Sequence, residues 1–184
     1  MNRYEIILSG SGGQGIILAG IVFSTAVALH TDKNVVQSQS YGPEARGGAS
    51  RAEVIISDSP IYYPKTIKAD LLLALTQESL NLYVKLLKED GLLIIDPEYV
   101  SYKGPGKFKT VKLPFTSIAR DDMKSLLVTN MLAVGAISGI LKVFSEEALC
   151  KTVEDRVSPA YKDINIRAIK LGFKLGRKAE REMK

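Results

Sequence analysis

Six residues, Gly10-Ser11-Gly12-Gly13-Gln14-Gly15, join an apolar run at Tyr4–Leu8 to a longer apolar stretch at Gln14–Leu29. The first run has the length of a buried strand and the second that of a helix. Their junction therefore satisfies the Gly-x-Gly-x-x-Gly pattern in the strand-to-helix context that dinucleotide binding requires. Glycines let the backbone turn tightly and approach a ligand, and the free N–H groups at a helix N-terminus attract phosphate. The same turn can also do no more than pack a strand against a helix.

The alternation continues along the chain. Val35–Gln39, Ala52–Ser57, Leu71–Leu75 and Leu92–Ile95 read as strands, Glu78–Lys88 as a helix, and Lys109–Leu113 as a short strand before Pro114. The glycines and proline of Tyr102–Lys107 mark a turn. Beyond them the chain is helical: Ser125–Phe144, then Glu146–Val157 behind a Ser145 N-cap, then a terminal helix after Pro159. This order predicts an α/β fold, a three-layer α/β/α sandwich with a mostly parallel sheet and a helical C-terminal portion. With no internal repeat and no composition break, residues 1–184 are expected to form a single domain.

Ser125–Leu141 is an uncharged run of 17 residues, near the lower limit for crossing a bilayer. It contains Thr129, Asn130, Gly135, Ser138 and Gly139, and no second span accompanies it. A buried core or subunit-interface helix is therefore expected rather than a membrane span, and its all-round apolarity points to a partner. The N-terminus lacks the pattern of a secretory leader, so a reducing, cytoplasmic setting is expected. Cys150 is the only cysteine and His30 the only histidine. That excludes an internal disulfide framework, a cysteine-held cluster and a His-rich metal site. No metal site is expected, His30 reads as a helix-end residue, and Cys150 as a buried helix residue.

The net charge of +5 resides entirely in the last 21 residues, which hold seven Lys/Arg and two Glu. Arg167, Lys170, Lys174, Arg177, Lys178 and Arg181 share one helix face, and Ile166, Ile169 and Phe173 another. Nothing aromatic is interleaved with the basic face for base stacking, so it reads as a solvated face rather than a nucleic-acid site.

An NAD site wants an acidic residue at the end of the second strand. That strand instead ends Gln37-Ser38-Gln39-Ser40, and Asp32 precedes it. A phosphate-bearing ligand such as coenzyme A or a nucleotide fits better than NAD. The Walker lysine is missing too. A second segment, Ser40 to Arg51, lies at the carboxyl end of the second strand, where ligands of such sheets collect. Tyr41 offers a stacking face, Arg46 a planar fork for phosphate or carboxylate, and Gly47 and Gly48 close backbone approach. The plain alternative is a connector in which Arg46 pairs with Glu44. Asp58, Asp70 and Asp96 stand at turns or strand ends and are given no catalytic role.

Ser9–Gly15, Gln39–Ser50 and Ala52–Asp58, with Tyr63-Pro64 and Ala69-Asp70, closely resemble the gamma subunits of 2-oxoacid:ferredoxin oxidoreductases, particularly the 2-oxoglutarate type. The resemblance covers essentially the whole chain, with its most specific motifs in residues 9–78.

It implies a complex that decarboxylates a 2-oxoacid oxidatively, passes the acyl group to coenzyme A and sends electrons to ferredoxin. Thiamine diphosphate with magnesium would sit in alpha and beta subunits, and iron–sulfur clusters in beta or delta subunits. This chain, inactive alone, would contact coenzyme A through Gly10, Ser11, Gly12, Gly13, Gln14, Gly15, Tyr41, Arg46, Gly47 and Gly48. The same loops could instead dock on the alpha subunit. An isolated chain could pair with itself through an apolar surface. The rival classes are a free-standing nucleotide- or NAD-binding protein and a non-catalytic interaction module.

Overall fold

A computed structural model describes residues 2–41, 48–104 and 107–183, with Tyr41 described in its backbone alone. The architecture is α/β with a mostly parallel six-stranded sheet, as expected. The chain divides into two compact units, Met1–Gly20 with Lys33–Pro114, and Ile21–Asp32 with Phe115–Lys184.

The first unit holds β1 (Tyr4–Ser11), β2 (Asn34–Tyr41), β3 (Ala49–Ser57), β4 (Ala69–Ala74), β5 (Leu87–Ile95) and β6 (Lys109–Lys112), in the order β2-β3-β1-β4-β5-β6. β1, β4, β5 and β6 pair in parallel, whereas β3 lies antiparallel between β1 and β2. β3 alone is reversed. Ile6, Ile7 and Leu8 of β1, Leu71, Leu72 and Leu73 of β4, and Leu93, Ile94 and Ile95 of β5 are all buried, so both faces of the central strands are covered.

Helix α1 (Ile16–His30) gives its first residues to this unit. Helix α2 (Gln77–Tyr83) packs on the sheet through Leu80, which joins Ile7, Leu72, Leu93 and Ile95 in one cluster. Thr76 caps α2 by accepting from the Ser79 N–H at 3.2 Å, with Ser79 Oγ facing the Thr76 N–H in return. The sequence places this helix over Glu78–Lys88, but it stops at Tyr83, followed by a short 3-10 turn. Leu87 pairs with Ala69 in the sheet, and strand pairing overrides the helical propensity of the segment.

The second unit contains the remainder of α1, α3 (Phe115–Asp121), α4 (Thr129–Leu141), α5 (Glu146–Arg156) and α6 (Lys162–Glu182). The sequence reading assigned no element to α3. The apolar run beginning at Ser125 opens with a 3-10 turn at Leu126–Val128 before α4 begins. Twelve of the thirteen residues of α4 are buried. Its partner is α6, through two pairs of glycines: Gly135 and Gly139 face the Ile169 and Phe173 carbonyls, and Gly172 and Gly176 face the Leu132 and Ala136 carbonyls. The apolarity of α4 is thus absorbed inside the chain. Among the described residues no helix is long and apolar enough to cross a membrane.

Lys142 ends α4 in the left-handed conformation, φ 55°, and its ammonium reaches Glu180 of α6 at 2.9 Å. Ser145 caps α5 as expected, accepting from the Ala148 N–H at 3.2 Å.

Candidate functional site

The antiparallel β3 brings the two glycine-rich segments together. β1 and β2 end where β3 begins, so Ser11 lies opposite Ala49 and Tyr41 opposite Ser50. The Gly12 N–H donates to the Gly48 carbonyl at 2.9 Å, and Ser50 Oγ donates to the Ser11 carbonyl at 3.3 Å. Gly10 to Gly15 and Gly48 therefore share one sheet edge. Arg46 and Gly47 fall outside the described residues, as does the side chain of Tyr41.

The turn is built by its own side chain. Gln14 Oε1 accepts from the Ser11 N–H at 2.8 Å, and the Gln14 N–H donates to the Ser11 carbonyl at 3.2 Å. Gly13 and Gly15 have φ of +93° and +69°, in the left-handed region that favours glycine. A Cβ on Gly10 would collide with Gln14 Oε1 and the Ile16 side chain. A Cβ on Gly13 would meet nothing within 4 Å, and Gly12 and Gly13 are exposed. The first intrahelical bond runs from the Ala19 N–H to the Gly15 carbonyl. The N–H groups of Ile16, Ile17 and Leu18 precede it and have no partner of that kind.

This geometry alters what the loop can offer. The sequence reading has Ser11 to Gly15 presenting backbone donors to phosphates, yet the N–H groups of Ser11, Gly12 and Gln14 are already engaged within the protein. What remains is an open glycine surface at Gly13 in front of the α1 N-terminus. Such a surface suits close approach by a ligand or by another backbone. Below it, Ser9 is wholly buried and its Oγ donates to the Leu73 carbonyl at 2.7 Å, tying β1 to β4 under the turn.

A polar network on one face of the same strands escaped the sequence reading. Glu5 and Glu53 are nearly buried, and their registers, Glu5 opposite Ile55 and Ile7 opposite Glu53, place them on one face of the sheet. Glu5 pairs with Arg3 at 2.6 Å and accepts from the Ile67 N–H at 2.7 Å. Glu53 pairs with Arg51 at 2.8 Å and accepts from the Thr66 N–H at 2.8 Å. Arg51 also lies over the Tyr83 ring, 5.0 Å from its centroid. The two carboxylates thereby hold the backbone of the segment linking β3 to β4, and the signal for them was a charge inside each of two otherwise apolar strands.

The other polar residues serve structure. Asp70 accepts from the Glu5 N–H at 2.8 Å and pairs with Lys88 at 2.6 Å. Asp96 accepts from the Glu98 N–H at 3.1 Å, and Lys33 holds the Asp58 carboxyl below its usual range. Burial, with the Asp70 charge adding to it, pushes the Tyr4 hydroxyl above its usual value. His30 ends α1 with Nε2 3.2 Å from Thr152 Oγ1, and burial raises the Cys150 thiol. Among the described residues no group of three His, Cys, Asp or Glu could hold a metal ion.

Comparison with known proteins gives a consistent picture. Residues 5–175 match the pyruvate ferredoxin/flavodoxin oxidoreductase family. The 2-oxoglutarate synthase subunit KorC of Methanocaldococcus jannaschii is 44% identical over 177 residues, 95% of each chain. A crystal structure of a keto/oxoacid ferredoxin oxidoreductase gamma subunit from Geobacter sulfurreducens superposes with a TM-score of 0.87 at 42% identity, covering 97% of this chain and 99% of that one. A 2-oxoglutarate:ferredoxin oxidoreductase from Magnetococcus marinus, with 2-oxoglutarate, coenzyme A and succinyl-CoA bound, shares the fold over 97% of this chain and 32% of its own. Its TM-score is 0.86 at 23% identity.

Proposed function

The chain belongs to the pyruvate ferredoxin/flavodoxin oxidoreductase family, and on that premise we propose that it is the gamma subunit of a 2-oxoglutarate:ferredoxin oxidoreductase. In this reading the complex converts 2-oxoglutarate and coenzyme A to succinyl-CoA and carbon dioxide, and ferredoxin takes the electrons. The observation that carries it is the 44% identity to KorC, which spans 95% of both chains.

The resemblance implies a division of labour, and the cysteine count agrees with it. A chain with one cysteine cannot hold a cysteine-ligated iron–sulfur cluster. The clusters and the thiamine diphosphate with magnesium are assigned to partner subunits of alpha, beta or delta type. This chain's share is coenzyme A, met at the edge that Gly10 to Gly15 share with Gly48, and the sequence adds Tyr41, Arg46 and Gly47 as further contacts. The exposed, left-handed Gly13 supports close approach of the ligand there. Because the Ser11, Gly12 and Gln14 N–H groups are engaged, the phosphate charge falls to Arg46 and the α1 N-terminus.

The engaged donors also favour a second reading of the edge, as a surface on which another subunit docks. Anaerobic affinity purification of the chain from its source cells tests the whole assignment. Co-purification of thiamine-diphosphate and iron–sulfur subunits is expected, and recovery of the chain alone contradicts it. Within that complex, Arg46→Ala should weaken coenzyme A binding while leaving assembly intact. Unchanged coenzyme A affinity with weakened assembly would transfer the edge to docking.

A further inference from the structure

Helix α6 divides its work between two faces. One face, with Ala168, Ile169, Gly172, Phe173, Gly176 and Ala179, is buried in the second unit. The other carries Arg167, Lys170, Lys174, Arg177, Lys178 and Arg181, all exposed. Spread over about 21 Å of helix, most of them three or four residues from the next, these cations repel one another. The fold relieves them only in part, with Lys170 facing the Glu147 carboxylate of α5. Lys178 reaches Glu182 only at 3.8 Å with both side chains largely in solvent, and Arg177 lies over the Phe173 ring, 5.3 Å from its centroid. Lys174 and Arg181 form no ion pair among the described residues.

The face is also concave. Lys174, Arg177, Lys178 and Arg181 line an open groove of about 420 Å³ together with Phe173 and Glu146 of α5. We propose that this groove and the basic face running from it are a docking surface for an acidic protein segment. Charge complementarity argues for that occupant: helix α6 holds seven Lys/Arg and three Asp/Glu, so most of the chain's net charge of +5 is carried by this one helix. Two features disfavour a phosphate backbone or an anionic bilayer. No exposed aromatic is interleaved among the cations for base stacking, and no exposed apolar side chain stands among them to enter a membrane. The surface needs nothing from the oxidoreductase reading and stands without it.

The test uses the full chain and a fluorescein-labelled peptide of twelve glutamates, with binding read by anisotropy at low and at physiological salt. The wild type is expected to bind, more weakly as salt rises. Charge reversal at Lys174→Glu, Arg177→Glu and Arg181→Glu together should lower affinity at least tenfold. Equal reversal elsewhere, at Lys65→Glu, Lys103→Glu and Lys112→Glu, should lower it less than twofold. If the first variant unfolds by circular dichroism, Lys174→Gln with Arg181→Gln removes the two unpaired cations and should still lower affinity at least threefold. Equal losses for the groove and the control sets would overturn the proposal. So would tighter binding of a twelve-nucleotide polyuridylate, or of phosphatidylserine vesicles, than of the peptide.

Discussion

Gly172 of α6 lies against the carbonyl of Leu132 in α4, so close that a Cβ at this position would overlap the carbonyl oxygen. One turn on, Gly176 meets the Ala136 carbonyl in the same way. Alanine at either site gains about 1 kcal/mol of helix propensity. Here it must also force two backbones apart, and overpacking costs about 1–3 kcal/mol per site. The overlap is with backbone rather than a movable side chain, so the upper half of that range applies, and Gly172→Ala with Gly176→Ala should show a net loss of about 2–4 kcal/mol in urea unfolding. An unchanged midpoint would mean that the helices are not in backbone contact.

The carboxylate of Glu5 holds the link between β3 and β4 through the Ile67 N–H and, by way of Arg3, the Tyr63 and Lys65 carbonyls. Removing one partner of a buried, hydrogen-bonded ion pair costs about 3–5 kcal/mol. Arg3 is part-exposed, which places Glu5→Ala at about 3 kcal/mol or below. Limited proteolysis should cut Glu5→Ala between Ser59 and Lys68 well before the wild type is cut there.

Gly10 and Gly13 differ in what a methyl group would do. At Gly13 the new Cβ enters open space and the cost is backbone alone, about 1–2 kcal/mol for the left-handed conformation. At Gly10 it displaces Gln14 and releases the Ser11 N–H. Hydrogen exchange at the Ser11 amide should therefore speed up in Gly10→Ala and stay slow in Gly13→Ala.

Tyr4 ties stability to alkaline pH. Burial and the Asp70 charge raise its folded pKa above the ordinary 10.0, so its hydroxyl stays protonated in the native state when it has begun to ionise in the unfolded chain. Below pH 10 this group adds no pH dependence; above it, the unfolded state releases its proton first and stability falls. The decline in unfolding free energy above pH 10 should be shallower in Tyr4→Phe than in the wild type.

Much of this molecule was legible in its residues, and the misses have physical causes. The turn from β1 to α1 could be read because the glycine run sits between two strongly apolar periods. The reversal of β3 could not be read from burial, since a strand covered on both faces looks the same in either direction. Chain length carried that information instead. Seven residues separate Tyr41 from Ala49, too few for a parallel crossover of about a dozen.

Helix α3 hid behind Thr116 and Ser117, weak helix formers, although Phe115, Ile118 and Ala119 have helical spacing. The partner sought for α4 was within the chain, because Gly135, Gly139, Gly172 and Gly176 match each other only once both helices are in place. At the candidate site, the meeting of Gly12 with Gly48 was legible from the positions of the glycine-rich segments at strand ends. The engagement of the Ser11 N–H by Gln14 depends on a side-chain conformation that no spacing reveals.

The central claim is that this chain completes a 2-oxoglutarate oxidising complex. The most direct measurement adds the purified chain, anaerobically, to partner subunits prepared without it and follows ferredoxin reduction with 2-oxoglutarate and coenzyme A. The account predicts that reduction appears on addition, requires coenzyme A, and is faster with 2-oxoglutarate than with pyruvate. Full activity of the partners without this chain, or activity with pyruvate alone, would contradict it.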